Sequence, residues 1–514
     1  MSLLLAALLL ALAPTVASAA DPPKLVSEQR LDQRLVELAF TTPALASETH
    51  VRVLLPTGYD TSGRTRYPVL YLLHGAIDDY KSWTDKGDAE AITKGAPLIV
   101  VMPDTGQFGN YTNWYNDGAF GPPEWETFHI AQLIPWIDGH YRTVAKRSGR
   151  AVAGLSMGGG GAMAYAGRHP DLFVSASAFS GAVDTNNPVV QPVTQASGLS
   201  DGSHSPGAIF GLRSTDEIRW RGHNGWDLAA NLEGMSLTLR TGNGQPGGPY
   251  GDSGDPVEAN VHDQSVSMHQ RLVELGFPHV WDDYGPGSHS WPYWQRDLRE
   301  TLPDIMSTFA KPPAPPSPFT FRSIEPAYDV YGWHVAVDRP ALEFSELRDA
   351  SARGFKILGS GSATVTSAPL YVPRSPVSAS VRTGKGTETR SLAADASGRV
   401  TVPVVLGPGN PDQQYSPAAA QSGTTVYAAK VALSGHVCSA ARTVRLRIRG
   451  VRRANVRSVV VRVGGHRRAK LLGPRSFVRV RVARTRHVVL VVRTRDGRTV
   501  RSSRLVRARR CGAG

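Results

Sequence analysis

Between residues 45 and 310 the chain alternates strand-like and helix-like patterns of hydrophobic and polar positions. Several of the strand-like segments are near-continuous apolar runs, which are typical of strands buried on both faces of a parallel sheet. The five segments are Thr49–Pro56, Tyr67–Gly75, Ala96–Asp104, Val174–Gly181 and Ser236–Gly244. Helical periodicity separates them, for example over Glu124–His140 and Val257–Gly276. Alternating strands and helices predict an α/β fold for residues 21–310.

The pattern changes after the last helical segment of this region. The stretch "AKPPAPPSP" (Ala310–Pro318) contains five prolines in nine residues, which predicts a semi-rigid, extended linker over 311–318. Short strands and turns follow over 319–433 and indicate a β-sandwich. From residue 434 to 514 arginine alternates with aliphatic residues, as in "VRLRIR" (Val444–Arg449), which predicts a small antiparallel module with arginine on its solvent faces. One continuous sheet over 319–514 is the alternative.

The first 20 residues predict a secretory signal. An apolar run, Leu3–Leu12, precedes the small residues Ala17–Ala20, so we expect the mature chain to begin near Asp21. A short uncleaved anchor is the alternative, and no later stretch is apolar for the ~18 residues that a transmembrane span needs. We therefore expect a secreted protein, extracellular or associated with the cell envelope. In such a protein the two cysteines, Cys438 and Cys511, suggest a disulfide.

The charge is divided unevenly along the chain. Residues 434–514 contain 24 Lys and Arg against one acid, Asp496, and so carry +23. Because the whole chain carries +14, the other 433 residues carry −9. We expect the basic module to bind an anionic envelope polymer or lipid headgroups, the alternative being a merely solvated arginine face. Nucleic acid is not expected as a partner, because Phe477 is the one aromatic residue between Cys438 and Gly514 and base stacking needs several.

One serine stands out in the α/β region. In "AVAGLSMGGGG" (151–161) an apolar strand runs into G-x-S-x-G and then into a helical pattern, which is the context of a nucleophile elbow at Ser156. Such a turn lifts the hydroxyl out at the carboxyl edge of the sheet and directs the Met157 N–H at a developing oxyanion. A phosphate-binding glycine loop is the alternative, but the glycines do not fit G-x-x-x-x-G-K-[ST].

A serine nucleophile needs a base, and in this fold an acid and then a histidine follow the serine along the chain. His289 has the right placement, in the loop "YGPGSHSWPYW" (284–294) before the last helical segment. The acid should follow the strand that ends at Gly244, and spacing alone leaves four carboxylates open: Asp252, Asp255, Glu258 and Asp263. No cofactor and no metal site are predicted.

Residues from about 45 to 310 resemble the esterase D-like α/β-hydrolases and, among them, the secreted antigen 85 mycolyltransferases. The matching stretches are "DDY" (Asp78–Tyr80), "GQFGNYTNWYND" (Gly106–Asp117), "EWETFHIAQLIPWI" (Glu124–Ile137), "GLSMGG" (Gly154–Gly159) and "SHSWPYW" (Ser288–Trp294). The resemblance implies an α/β-hydrolase fold with acyl-serine chemistry. It also implies that Glu258, 31 residues before His289, is the acid and that Ala76 supplies the second oxyanion N–H.

The chain also departs from that family. It has His74 where the mycolyltransferases carry an acidic residue, and no arginine soon after Gly75. Those positions belong to the sugar-acceptor region in the family, so transfer to trehalose is not implied. We expect a secreted serine esterase or acyltransferase that acts on a small-molecule, lipid or glycolipid ester and passes the acyl group to water or to an envelope hydroxyl. Residues expected to bind substrate are His74, Gly75, Trp114, Tyr115 and Trp291, with Trp294 beside them. The alternative is an inactive secreted protein that binds envelope or carbohydrate.

Overall fold

A computed structural model describes residues 21–61, 63–203, 205–251, 253–438, 442–482 and 486–506. The chain forms two compact units. The first unit comprises the residues up to Glu325 together with two later segments, Pro340–Glu346 and Gly409–Thr425. The second unit comprises Pro326–Arg339, Leu347–Pro408 and the residues from Val426 onward. The predicted signal at residues 1–20 lies outside the described residues, as do Asp252 and Cys511. Within the part of the chain that is described, no helix combines the length and hydropathy of a membrane-crossing segment.

Nine strands of the first unit form one sheet. They are β1 (Lys24–Arg30), β2 (Leu35–Thr41), β3 (Thr49–Leu54), β4 (Val69–Leu73), β5 (Ile99–Pro103), β6 (Arg150–Leu155), β7 (Ser175–Phe179), β8 (Ser236–Thr241) and β9 (His279–Asp283). Their spatial order is β1-β2-β3-β5-β4-β6-β7-β8-β9. The strands from β5 to β9 in this order run parallel, and β1, β2 and β3 form an antiparallel edge.

Helices cover both faces of this sheet. They are α1 (Ser82–Asp85), α2 (Ala89–Ile92), α3 (Ile134–His140), α4 (Met157–Arg168), α5 (Gln191–Ser200), α6 (Arg213–Gly222), α7 (Pro256–Glu274) and α8 (Trp291–Ala310). Along β4, residues 69, 71 and 73 pack into one hydrophobic cluster with α3, α4 and α7, while residues 70 and 72 pack into the other with α2 and α8. Burial on both faces explains the near-continuous apolar runs, and the predicted α/β fold is confirmed.

Two local features differ from the sequence-based expectation. Neither β1 nor β2 was among the predicted strands; β1 is polar and almost wholly exposed at the sheet edge, whereas β2 is largely buried. The segment expected as one helix over 124–140 instead contains a π-helical stretch, Thr127–Leu133, before α3. The main-chain N–H of Ile134 donates to the carbonyl of His129, five residues back, which is the wider hydrogen bonding of a π-helix.

The turn between β6 and α4 is packed too closely for side chains at two glycines. A Cβ added to Gly154 would lie 2.3 Å from the carbonyl oxygen of Gly158. A Cβ added to Gly158 would lie 2.4 Å from the carbonyl oxygen of His74 and 2.6 Å from that of Leu73. These are main-chain atoms that cannot swing aside, so glycine is required for α4 to approach the end of β4.

The first unit also contains the strand β10 (Phe319–Ser323) and the helix α9 (Pro417–Ser422).

The second unit begins with two antiparallel sheets. The strands that follow β10 are β11 (Ala327–Val330), β12 (Trp333–Asp338), β13 (Ser345–Ser351), β14 (Gly354–Gly359), β15 (Ser362–Thr366), β16 (Pro376–Thr383), β17 (Gly386–Ala393), β18 (Thr401–Val405) and β19 (Tyr427–Gly435). One sheet has the order β11-β12-β15-β18, and the other includes β14-β19-β16-β17. Trp333 of β12 meets Phe355 of β14 edge to face, with ring centroids 5.8 Å apart, as in a β-sandwich.

The arginine-rich segment forms a further pair of sheets. Its strands are β20 (Arg442–Arg447), β21 (Val456–Val463), β22 (His466–Leu472), β23 (Phe477–Val482), β24 (Arg486–Thr494) and β25 (Thr499–Val506). The sheets are β20-β23 and β22-β21-β24-β25, and aliphatic residues of both share one core. Leu446 and Ile448 are buried in that core, whereas Arg445 and Arg447 are exposed. The period-two alternation therefore places the arginines at the surface, as the pattern predicts.

We predict that Gly158→Ala lowers the free energy of unfolding of the first unit by about 2–3 kcal/mol, because the added methyl group overpacks against main-chain atoms. The matched control is Gly139→Ala in α3, where an added Cβ meets nothing within 4 Å. That change should stabilise by about 0.5–1 kcal/mol. Nine of the ten tryptophans precede residue 300, so tryptophan fluorescence during denaturant unfolding reports on this unit. Equal effects of the two changes would contradict the close packing at Gly158.

Candidate active site

Ser156 occupies the turn between β6 and α4 in a conformation that L-residues rarely adopt. Its φ is 52° and its ψ is −120°. Main-chain hydrogen bonds hold it there: its N–H donates to Phe179 O at 3.0 Å, and its carbonyl accepts from the N–H groups of Gly160 and Ala182 at 3.1 and 3.0 Å. A non-glycine residue persists in such a region when its surroundings enforce it, and this pattern is common at functional sites.

His289, in the loop between β9 and α8, contacts the serine hydroxyl. Its Nε2 lies 2.8 Å from Ser156 Oγ, and its Nδ1 lies 2.7 Å from Glu258 Oε2. A carboxylate oxygen accepts, so Nδ1 carries the hydrogen in the neutral ring. Nε2 then carries a lone pair, which accepts a hydrogen bond from the Ser156 hydroxyl. The structure thus brings the three residues predicted as nucleophile, base and acid into one hydrogen-bonded chain.

Glu258 lies in the first turn of α7 and is fully buried. Its Oε1 accepts from three donors: Ser180 Oγ at 2.8 Å, the Gly242 N–H at 2.7 Å and Thr241 Oγ1 at 3.2 Å. A buried carboxylate is destabilising unless its oxygens are bonded. These donors satisfy one oxygen and thereby direct the other, Oε2, at His289.

Asp255, another of the four candidate acids, contacts the main chain of His289 and not its ring. Its Oδ2 accepts from the His289 N–H at 2.8 Å, and its Oδ1 accepts from the N–H groups of Val257 and Glu258 at 2.9 and 3.1 Å. Burial would raise the pKa of Asp255, but these N–H donors hold the pKa below its ordinary value. One carboxylate therefore joins the start of α7 to the His289 loop. Asp263 is exposed on α7.

The loop after β4 carries the predicted second oxyanion donor. Ala76, Met157 and Ser156 border the same cavity. His74 is buried: its Nδ1–H donates to Gly75 O at 2.8 Å, and its Nε2 accepts from the Thr105 N–H at 3.2 Å. Gly75 is also buried, and a Cβ there would lie 3.3 Å from the Cβ of Ser156. Both residues expected to bind substrate thus lie within the packed loop that positions Ala76.

The four aromatic residues predicted around the site have different surroundings. Trp294 meets the His289 ring edge to face at 5.0 Å, and Trp291 meets Trp294 in the same way at 5.2 Å. Trp114 is buried in a hydrophobic cluster, and its Nε1–H donates to a main-chain carbonyl. The guanidinium of Arg219 lies over the Tyr115 ring at 3.9 Å. The structure therefore places Trp294 against His289, Trp291 against Trp294, and Trp114 in the core.

A cavity of about 350 Å³ opens at Ser156 and has mostly apolar walls. Its volume lies in the range of small-molecule sites. Residues of α4, α5, the start of α7 and the segments between them form the walls, among them Gly160, Gly161, Ala164, Val189, Val190, Val193, Ser197, Phe210, His223, Val257 and Val261. The sequence did not indicate this wall, because its residues are ordinary apolar and small residues that form no motif.

The region that carries this site is similar to known proteins. The Esterase family model matches residues 42–305. An esterase of Mycobacterium tuberculosis is 37% identical over 271 residues, which cover 52% of this chain and 58% of that protein. The diacylglycerol acyltransferase/mycolyltransferase Ag85A of the same organism is 31% identical over 302 residues, which cover 54% of this chain and 87% of that protein.

Among solved structures, that of MPT51 from Mycobacterium tuberculosis is 23% identical, with a TM-score of 0.44, and the match covers 55% of this chain and 99% of that one. The present chain spans little more than half the length of the mycobacterial esterase. The residues that the family model matches lie within the first unit.

We predict that Glu258→Gln slows covalent labelling of Ser156 by a fluorophosphonate about 10³–10⁴-fold, because an amide neither fixes the imidazole tautomer nor stabilises an imidazolium. Rates are measured by mass spectrometry of the labelled chain. The control Asp263→Asn changes an exposed carboxylate of the same helix and should label at the unchanged rate. Labelling of Glu258→Gln at the normal rate would remove any orienting role from this carboxylate.

Proposed function

The chain belongs to the Esterase family, and on this premise we propose that it is a secreted serine esterase or acyltransferase that works through an acyl-serine intermediate. The observation that carries the proposal is the hydrogen-bonded chain from Ser156 through His289 to Glu258, which opens onto an apolar cavity. Nucleophile, base and orienting acid lie within hydrogen-bonding distance of one another, as acyl transfer by serine requires.

In the first half-reaction Ser156 Oγ attacks the carbonyl carbon of the ester while His289 Nε2 takes the hydroxyl proton. Glu258 stabilises the imidazolium that forms. The N–H groups of Ala76 and Met157 bind the carbonyl oxygen as it becomes an oxyanion, each contributing about 3 kcal/mol to transition-state stabilisation. Collapse of the tetrahedral intermediate breaks the bond to the leaving alcohol, which receives its proton from His289.

In the second half-reaction an acceptor hydroxyl attacks the acyl-enzyme. Water as acceptor makes the protein an esterase, and a sugar or lipid hydroxyl of the cell envelope makes it an acyltransferase. One of the compared proteins is named an esterase, and another is named a diacylglycerol acyltransferase/mycolyltransferase. The buried, hydrogen-bonded position of His74 argues against a direct role for its ring in binding an acceptor.

The rival function is an inactive secreted protein that binds envelope or carbohydrate on a hydrolase scaffold. In an inactive protein, selection would no longer maintain the strained backbone of the serine or the buried carboxylate beside the histidine. Here Ser156 keeps its positive φ, and Glu258 keeps three donors on the oxygen that faces away from His289. An active enzyme accounts for these features better.

The arginine-rich module would attach this enzyme to an anionic polymer of the cell envelope. Within residues 434–514 the sequence offers these arginines one acidic residue, Asp496. Arg445 of β20 stands directly opposite Arg479 of β23, and both side chains are exposed. Like charges opposite each other on a sheet destabilise it, which favours an external anion as their partner.

We predict that Ser156→Ala and His289→Ala each lower hydrolysis of a p-nitrophenyl ester by about 10⁴-fold or more, and that combining them lowers it little further. When two residues act as one unit, replacing either of them abolishes their joint contribution to catalysis. The second substitution then has no further contribution to remove. The measurement is kcat/KM of the two single variants and the double variant. Multiplicative losses would show that Ser156 and His289 act independently.

We further predict that the full chain sediments with isolated cell envelopes and that truncation near Ser434 abolishes this. Binding should fall steeply between about 0.05 M and 0.5 M salt, because the Debye length shrinks from about 10 Å at 0.1 M to about 3 Å at 1 M. Ser156→Ala is the control and should bind as the unchanged chain does. A truncated chain that stays bound would contradict the attachment.

A further inference from the structure

The apolar cavity at Ser156 extends along α4. Gly160, Gly161 and Ala164 face it on successive turns of the helix. Ala164 lies eight residues beyond Ser156 in the chain, and at a rise of 1.5 Å per residue this places it about 12 Å along the helix axis. A chain of roughly nine carbon–carbon bonds, each advancing somewhat less than its ~1.5 Å length, would span that depth.

His223 borders this cavity at the level of the later turns of α4. Two neighbours fix its position along the helix. A Cβ added to Gly225 would lie 2.9 Å from the Cβ of Met163, and Arg168 Nη1 donates to the Gly222 carbonyl at 3.0 Å. His223 therefore lies near the end of the cavity that is remote from Ser156.

The hydrogen bonding of His223 fixes what its ring offers to a ligand. Nδ1 lies 2.8 Å from the Arg219 carbonyl oxygen, which can only accept, so Nδ1 carries the hydrogen. Burial, and next the nearby positive charge of Arg168, lower the pKa of His223 to about 4, so the ring is neutral at neutral pH. Nε2 then carries a lone pair and no hydrogen, so it can only accept a hydrogen bond.

Among the described residues, no partner for that lone pair lies within hydrogen-bonding distance of Nε2. Two other polar side chains of the wall already bond to protein groups, whereas the Thr185 hydroxyl, also in the wall, has no partner among the described residues. Asn110 donates to Phe108 O, and Asn224 donates to Asp184 and Asp227. An acceptor at the end of an apolar cavity favours a ligand that brings a donor to that point.

We infer that the cavity receives an acyl group whose end remote from the ester carries a hydroxyl, and that this hydroxyl donates to His223 Nε2. The inference rests on the proposed acyl-serine chemistry and adds the class of acyl group. A hydroxyl on an alkyl chain and a hydroxyl on a phenyl ring share this chemistry. His223 is thus a specificity residue and takes no part in proton transfer at Ser156.

The test compares p-nitrophenyl esters in matched pairs on the full chain. One pair has an acyl chain of about ten carbons that ends in a hydroxyl or in a methyl group. The other pair has a phenylpropanoyl group with a para hydroxyl or a para methyl. We expect kcat/KM to favour the hydroxyl member of at least one pair about tenfold. The preferred pair identifies the source of the hydroxyl.

Two substitutions of His223 separate recognition from folding. In His223→Asn the amide can still donate to the Arg219 carbonyl but offers no acceptor at the position of Nε2, so the preference should fall to about one. In His223→Gln the longer amide restores an acceptor there, so part of the preference should return. His269→Asn, on α7 outside the cavity, is the control and should keep the full ratio. A folding defect would slow both members of a pair together and leave the ratio unchanged.

The inference is overturned if the unchanged chain has no preference within either pair, or if His223→Asn keeps the preference. It also fails if His223→Gln and His223→Asn give the same ratio. Turnover of the methyl esters that disappears in Ser156→Ala would uphold the proposed function even then. Absence of turnover for all four esters would overturn the proposed function and the inference together.

Discussion

The buried carboxylate of Glu258 is the interaction on which the active site depends. A charge without solvent must find its partners within the protein, and Glu258 draws them from three separate segments of the chain. Ser180 follows β7, Thr241 and Gly242 lie at the end of β8, and His289 lies in the loop before α8. The carboxyl ends of adjacent strands are thereby tied to α7. Precise placement of His289 is a consequence of satisfying Glu258.

Asp255 adds a second constraint of a different kind. It binds only main-chain N–H groups, so it acts on the position of a loop and a helix end and leaves the imidazole ring to Glu258. The acid and the base are thus held by side-chain and main-chain bonds together. Correct orientation of the ring then does not rely on the His289–Glu258 bond alone, which leaves that bond free to strengthen when the imidazole is charged.

The sequence predicted what motifs and apolar runs encode. Strands such as β4 were found because both faces are buried, and Ser156 and His289 because the elbow and the chain order are specific. The strands β1 and β2 were both missed; the exposed polar residues of β1 carry no pattern. The contact of Asp255 with His289 depends on a loop closing across 34 residues, which spacing does not encode. The cavity wall of α5 was missed because apolar residues there look like any helix face. The roles of the site residues stay predictions.

The backbone conformation of Ser156 sets thermal stability against catalytic activity. At a φ of 52° every residue except glycine is strained, so glycine is the replacement that would relax this turn. That same replacement removes the hydroxyl. A laboratory selection that rewards heat resistance alone would therefore favour loss of the nucleophile, and the serine survives only where turnover is selected as well. An inactive descendant of this chain should reveal itself first by a glycine at this turn.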